Sequence, residues 1–157
     1  EVTGVSEATV SLSLMLFGVA TVIGNLLGGR LADTLGTRRA LQVVLVGLAF
    51  SLAALPFTAS QASAMFANLF AWGVFAFAIS PIVQAGVVAT AQAEAPDAVG
   101  TASGFNIAAF NLGIAAASFV GGILVAGPGL LVTPWAALGA TLVALAIVQR
   151  SGRVSRA

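Results

Sequence analysis

Gly29-Arg30-Leu31-Ala32-Asp33-Thr34-Leu35-Gly36-Thr37-Arg38-Arg39 is a charged knot in a sequence otherwise almost free of charge. It holds four of the chain's eleven charged side chains, while the stretches on either side, 8–29 and 40–57, hold none. A helix needs about 20 apolar residues to cross roughly 30 Å of hydrocarbon, so each flanking stretch has the length of one span. Three more uncharged runs follow, at 62–93, 98–126 and 130–149. In lipid every backbone amide must be paired internally, which makes each run helical. The alternating segments of about ten residues that a membrane β-barrel requires are missing. The expected fold is an all-α polytopic membrane helix bundle of about five transmembrane helices, with spans near 8–31, 39–58, 62–93, 98–126 and 131–149.

Composition agrees. Of the 157 residues 59% are hydrophobic and 7% charged, with a mean hydropathy of +1.08. Soluble domains carry about 25% charged residues, so this chain could not cover its own surface in water. The lipid bilayer is its solvent. Cysteine and histidine are absent, which excludes a disulfide framework, a thiolate or histidine metal site, and a Ser-His dyad. No metal or cofactor is expected, nor any nucleic-acid partner. The chain opens on Glu1 without a basic stretch leading into a short apolar core, so we expect a piece of a longer protein and no signal peptide.

Five alternating spans put Arg30, Arg38, Arg39, Arg150, Arg153 and Arg156 on one side of the membrane. By the positive-inside rule that side is cytoplasmic, with the N-terminus of the segment outside and its C-terminus inside. Local punctuation sets the ends. Ser6 can cap the first helix, Ala95-Pro96-Asp97 and Pro128-Gly129 read as turns, and Thr133-Pro134 reads as a cap followed by proline in the first turn. Pro81 lies inside the third run and reads as a kink. Ala20, Gly24 and Gly28 form a small-residue ridge, as do Gly100 and Gly104, suited to close helix contact.

Within the charged knot, Gly29 lets a neighbouring helix pass close, and Gly36 permits a turn that other residues resist. Asp33 can accept charge-assisted hydrogen bonds from an arginine or from the open amides of a helix N-terminus. The knot is therefore either a conformational latch or a basic topology signal.

This stretch resembles the signature loop of the major facilitator superfamily of secondary transporters, Gly-x-Leu-Ala-Asp-x-x-Gly-x-Arg-Arg/Lys. In that family the loop is cytoplasmic, between the second and third helices of each six-helix half. Gly113-Ile114-Ala115-Ala116-Ala117-Ser118-Phe119-Val120-Gly121-Gly122 is similar to a degenerate copy of the family's antiporter signature, Gly-x-x-x-Gly-Pro-x-x-Gly-Gly. The stretches starting at Gly4, Phe17 and Phe105 resemble arabinose-efflux-like and drug-efflux permeases. The resemblance implies a partial major-facilitator fold: residues 1–157 as the C-terminal half of a transporter, its eighth to twelfth helices, without the seventh helix and the N-terminal half. It implies an alternating-access efflux permease in a cell membrane, a bacterial inner membrane, exporting a small molecule such as a sugar, nucleoside or drug against proton entry. Its partners would be that substrate, the bilayer and the missing half. The loop residues Gly29, Asp33, Gly36, Arg38 and Arg39 would form a cytoplasmic latch. A non-transporting membrane scaffold or assembly protein is the alternative, separated from a transporter by the upstream sequence. An enzyme is not expected: Gly100-Thr101-Ala102-Ser103-Gly104 places a serine among glycines, but nothing in the chain could activate it.

None of the five runs holds an ionisable residue, so a coupling carboxylate would have to come from elsewhere in the protein. Gln61, Met65, Asn68, Trp72, Phe75 and Ile79 recur at helical spacing on the third span. The resemblance makes this the tenth helix, which lines the central cavity, so Asn68, Trp72 and Phe75 become candidate substrate contacts; packing against a neighbour is the other reading. Gln84 and Asn106 complete the candidates. Asn106 and Asn111 lie roughly 140° apart on a helix, so at least one is expected to bond to a neighbouring helix. Trp135 is expected to anchor at the interface.

Overall fold

The computed structural model describes residues 7–154 and, among these, the side chains of 9–151. Five long helices follow one another: α1 (Glu7–Leu35), α2 (Thr37–Thr58), α3 (Ala62–Glu94), α4 (Val99–Ala126) and α5 (Thr133–Val154). All five are long and apolar enough to cross a membrane. Short 3₁₀ turns at Pro96–Ala98 and Leu130–Val132 lead into α4 and α5. The connections are too short to cross the bundle, so consecutive helices run antiparallel. One end of the bundle therefore gathers the α1–α2 turn, the α3–α4 turn and the end of α5; Arg30, Arg38, Arg39 and Arg150 belong to this arginine end.

Most of the expected punctuation is present. Gly36 alone separates α1 from α2, at φ 75°, a backbone conformation that costs glycine nothing. Gly129, at φ 105°, turns the chain before α5. The α3 helix continues through Pro81. Thr133 differs from expectation: it is the first residue of α5, and its hydroxyl donates to the Leu130 carbonyl (2.8 Å), closing the 3₁₀ turn instead of capping an open amide. The Ser6 cap lies outside the described residues. Helices also extend further than the charge pattern implies, because charged residues at a membrane surface can continue a helix. Asp33 and Thr34 belong to the last turn of α1, so the expected loop contracts to one glycine.

α3 is the hub, packing on α1, α2 and α4, while α5 packs chiefly on α2. The α1 ridge explains its closest contact. A Cβ at Gly24 would lie 2.5 Å from the Val74 carbonyl oxygen, and one at Gly28 would strike the Ala78 backbone and the Pro81 ring. Ala20 is fully buried, beside Gly73. Lipid is as apolar as leucine, so such helices associate by close backbone approach and not by hiding grease. Ala32, Ala40, Val44, Ala78 and Ile82 form a buried core between α1, α2 and α3 toward the arginine end. The Gly100/Gly104 pair meets nothing within 4 Å, so the described residues leave that ridge unused. α4 has no buried residue at all and touches α5 sparingly.

Candidate functional site

Each sector of α3 has its own neighbour, and this sorts the candidate residues. Gly73, Val74, Ala78 and Pro81 meet α1. Asn68 is buried against α2, where its amide donates to the Ser51 carbonyl (3.0 Å) and the Thr58 hydroxyl (3.2 Å). Phe75 lies over Gly47, where a Cβ would collide with its ring. The expectation that Asn68, Trp72 and Phe75 share a cavity-lining face thus meets a different geometry. Positions 68 and 75 are two turns apart on one stripe, and that stripe faces α2; Trp72 lies further round the helix.

Toward α4 and α5, α3 borders two cavities. One, of about 750 Å³, lies at the arginine end and is bounded by Arg38, Ile82, Val87, Ala102 and Val148. The other, of about 620 Å³, lies nearer the opposite end and is bounded by Leu52, Met65, Trp72, Ala117, Gly121 and Ala137. Both are lined almost wholly by apolar groups, and together they follow the line along which α4 and α5 fail to close. Ala117 and Gly121, from the antiporter-like stretch, belong to this lining, and an added Cβ at Gly113, Gly121 or Gly122 would meet nothing within 4 Å.

The remaining sector of α3 lies between α1 and α4. Phe77, Ser80 and Gln84 succeed one another along it, over about 10 Å. Phe77 and Ser80 are exposed. Phe77 stands edge-on to Phe17 of α1, ring centroids 5.8 Å apart, and Phe17 also stacks on Trp72 at 5.3 Å. Two turns beyond Phe77, the Gln84 side chain donates to the Ser103 hydroxyl (2.9 Å) and accepts from the Asn106 amide (2.6 Å). Asn106 is thus the asparagine that bonds to a neighbouring helix; Asn111 is exposed. The triad is partly buried and retains unused hydrogen-bonding capacity, since each amide has a second N–H and Asn106 a free carbonyl oxygen. Polar groups at this depth are costly and seldom idle. The face combines an aromatic level with an amide level and carries no charge.

Phe77 and Ser80 were not singled out from the sequence, and Phe17 and Ser103 were noted there without a role in this site. Their signal was present: Ser80 and Gln84 recur at i, i+4 and Ser103 and Asn106 at i, i+3, each as polar pairs inside an apolar run.

At the arginine end, Asp33 and Arg39 are exposed and join no other described residue by a hydrogen bond or ion pair. Arg38 instead reaches α5, donating to the carbonyls of Val148 (3.2 Å) and Gln149 (3.0 Å). Among the described residues no cluster of acidic side chains could hold a metal ion.

Over nearly its whole length the chain resembles membrane transport proteins in sequence. The uncharacterized MFS-type transporter YtbD of Bacillus subtilis is 38% identical over 148 residues, which is 94% of this chain and 37% of that protein. The inner membrane transport protein YdhP of Escherichia coli K12 is 36% identical over 148 residues, 94% of this chain and 36% of the relative. This chain therefore spans little more than a third of the length of these relatives. No solved structure matches it significantly. The sequence pattern of the Major Facilitator Superfamily matches residues 1–155, and the chain belongs to that family.

Proposed function

We propose that this chain is the C-terminal half of a proton-coupled efflux permease that works by alternating access. The observation that carries the reading is the α3 face between α1 and α4, where Phe17, Phe77, Ser80, Gln84 and Asn106 stay accessible inside otherwise apolar spans. In water-exposed positions facing an opposing half, this surface would hold an uncharged amphipathic solute: the rings take its apolar part, the amides its hydroxyl or carbonyl groups. Trp72 stacks on Phe17 and so buttresses the aromatic level of this site, while it also borders the smaller cavity toward α4 and α5. The rest of the protein would supply the opposing half and, from a midplane position, the ionisable group for proton coupling. The slot between α4 and α5 fits a further helix of the same half, since small side chains such as Ala117, Gly121 and Ala137 permit close approach there.

The arginine end is cytoplasmic in this reading, and the membrane is a bacterial inner membrane, as the name of the E. coli relative has it for that protein. Asp33 and Arg39 are exposed at the turn, which supports a latch onto the opposing half in one state. The test uses full-length protein in liposomes with an imposed proton gradient and a pH dye inside. Sugars, nucleosides and amphipathic drugs are added in turn. Solute-dependent proton movement, reduced in Gln84→Ala and Asn106→Ala and in the latch variant Asp33→Asn, supports transport. No solute-dependent movement with any of the three classes supports the scaffold reading instead.

A further inference from the structure

The charges of the signature turn sit at the wrong ends of their own helices. Asp33 is in the last turn of α1, where the helix dipole is negative, and Arg38 and Arg39 are in the first turn of α2, where it is positive. Charges so placed are disfavoured unless solvent or another element compensates them. Arg38 has such an element: its Nε and Nη2 donate to two successive carbonyls within the last two turns of α5, Val148 at 3.2 Å and Gln149 at 3.0 Å. The planar fork of a guanidinium suits such a pair, and a carbonyl already bonded within its helix still has a second lone pair. A cation is also favoured near the C-terminal end of a helix.

Packing does not replace this contact. Pro134 and Thr141 are buried in α5, but no described side chain from Leu142 to Ser151 is. Ile147, Val148 and Ser151 border the larger cavity together with Arg38 itself, so the contact crosses a gap at this end of the helix. The arginine end of α5 is thus tied by directional bonds more than by burial.

We infer that Arg38 is a positioning residue that clips the end of α5 to the α1–α2 turn, so that both move as one piece when the half changes orientation. This rests on the transporter reading and divides the arginine pair between two tasks. Arg38 is committed within the half, and Arg39 and Asp33 are left for contacts outside it. The inference applies to the geometry of the fork and not to charge alone, so lysine is expected to restore it only in part.

The absence of cysteine from the chain allows a direct test in the full-length protein, any cysteines elsewhere having been replaced. Spin labels are placed at Thr34→Cys and Gln149→Cys; the latter substitution keeps the backbone carbonyl that Arg38 contacts. The distance between them is measured by double electron–electron resonance in liposomes. One narrow distance is expected in the parent and in Arg39→Ala. Arg38→Ala should lose it for a broad distribution, and Arg38→Lys should fall between. A label at Gly139→Cys, where an added Cβ meets nothing within 4 Å, reports whether the fold is intact. If the Gly139 label also loosens in Arg38→Ala, Arg38→Lys decides the matter. An unchanged distance in Arg38→Ala overturns the inference, as does equal broadening in Arg39→Ala. Because this readout involves no solute, it separates from the flux test: the clip can hold while the transport reading fails, and the reverse.

Discussion

Replacing Gly24 by alanine adds one methyl group at one of the tightest helix contacts of the bundle, and its consequence can be worked out from the geometry. The new Cβ would lie 2.5 Å from the Val74 carbonyl oxygen and 3.1 Å from the adjoining backbone carbon atoms. These are backbone atoms, so no side chain can swing aside. Restoring an ordinary contact near 3.4 Å requires α1 and α3 to part by about 0.9 Å. A gap of that order forfeits roughly a quarter to a half of the dispersion energy of each contact it opens, and overpacking of this kind typically costs about 1–3 kcal/mol. The substitution also gains helix propensity, about 0.4–1 kcal/mol. Gly18 supplies the control: it lies on the same helix, and an added Cβ there meets nothing within 4 Å. The propensity gain cancels between the two variants, leaving the overpacking term as their difference. Thermal unfolding of the purified full-length protein in detergent, followed by fluorescence-detected size exclusion, should place Gly24→Ala below the parent and Gly18→Ala at or above it. If Gly24→Ala melts with or above Gly18→Ala, the close approach of α1 to α3 is refuted.

Two further outcomes are expected. Asn68→Ala removes two interhelical donor contacts to α2 and should destabilise the protein by about 0.6–1.7 kcal/mol, the range for such bonds in membranes, with unchanged apparent affinity for transported solute. A raised dissociation constant with normal melting would instead make Asn68 a substrate contact. Impermeant thiol reagents on intact cells should label single cysteines at Ser60 and Gly129 but not at Thr34 or Gln149, because the arginine end is cytoplasmic in this account. The reverse pattern would invert the topology.

The helices were legible because charge is so rare: three charge-free gaps, 8–29, 40–93 and 98–149, hold the five spans, their lengths and turn residues such as Pro128-Gly129 divide the longer two, and arginine placement sorts their ends. Gly36 declared the turn, and Ala20, Gly24 and Gly28 declared a close contact. What could not be read was the partner of each face. In water, a helix face that is apolar is a face that is buried; in lipid that rule has no force, because the solvent and the protein interior are alike. The stripe holding Asn68 and Phe75 therefore carried no mark of whether it met α2 or a water-filled path. Gln84, Ser103 and Asn106 come together only because α3 and α4 pair side by side, a relation no local spacing encodes. Arg38 was legible as a basic residue of the turn, but its bond to α5 joins positions 110 and 111 residues apart.

Transport along this path requires the α3 face between α1 and α4 to meet water in the whole transporter. Single cysteines at Ser80 and Gln84, on that face, and at Asn68 and Phe75, on the α2 face, provide the comparison. Each full-length variant is treated with a small charged thiol reagent, once in right-side-out and once in inside-out membrane vesicles, and the labelled fraction is measured by mass spectrometry. The account predicts that positions 80 and 84 are labelled from both sides, as an alternating path requires, while 68 and 75 stay unlabelled. Positions 80 and 84 inert from both sides, or 75 labelled as readily as 80, would contradict it.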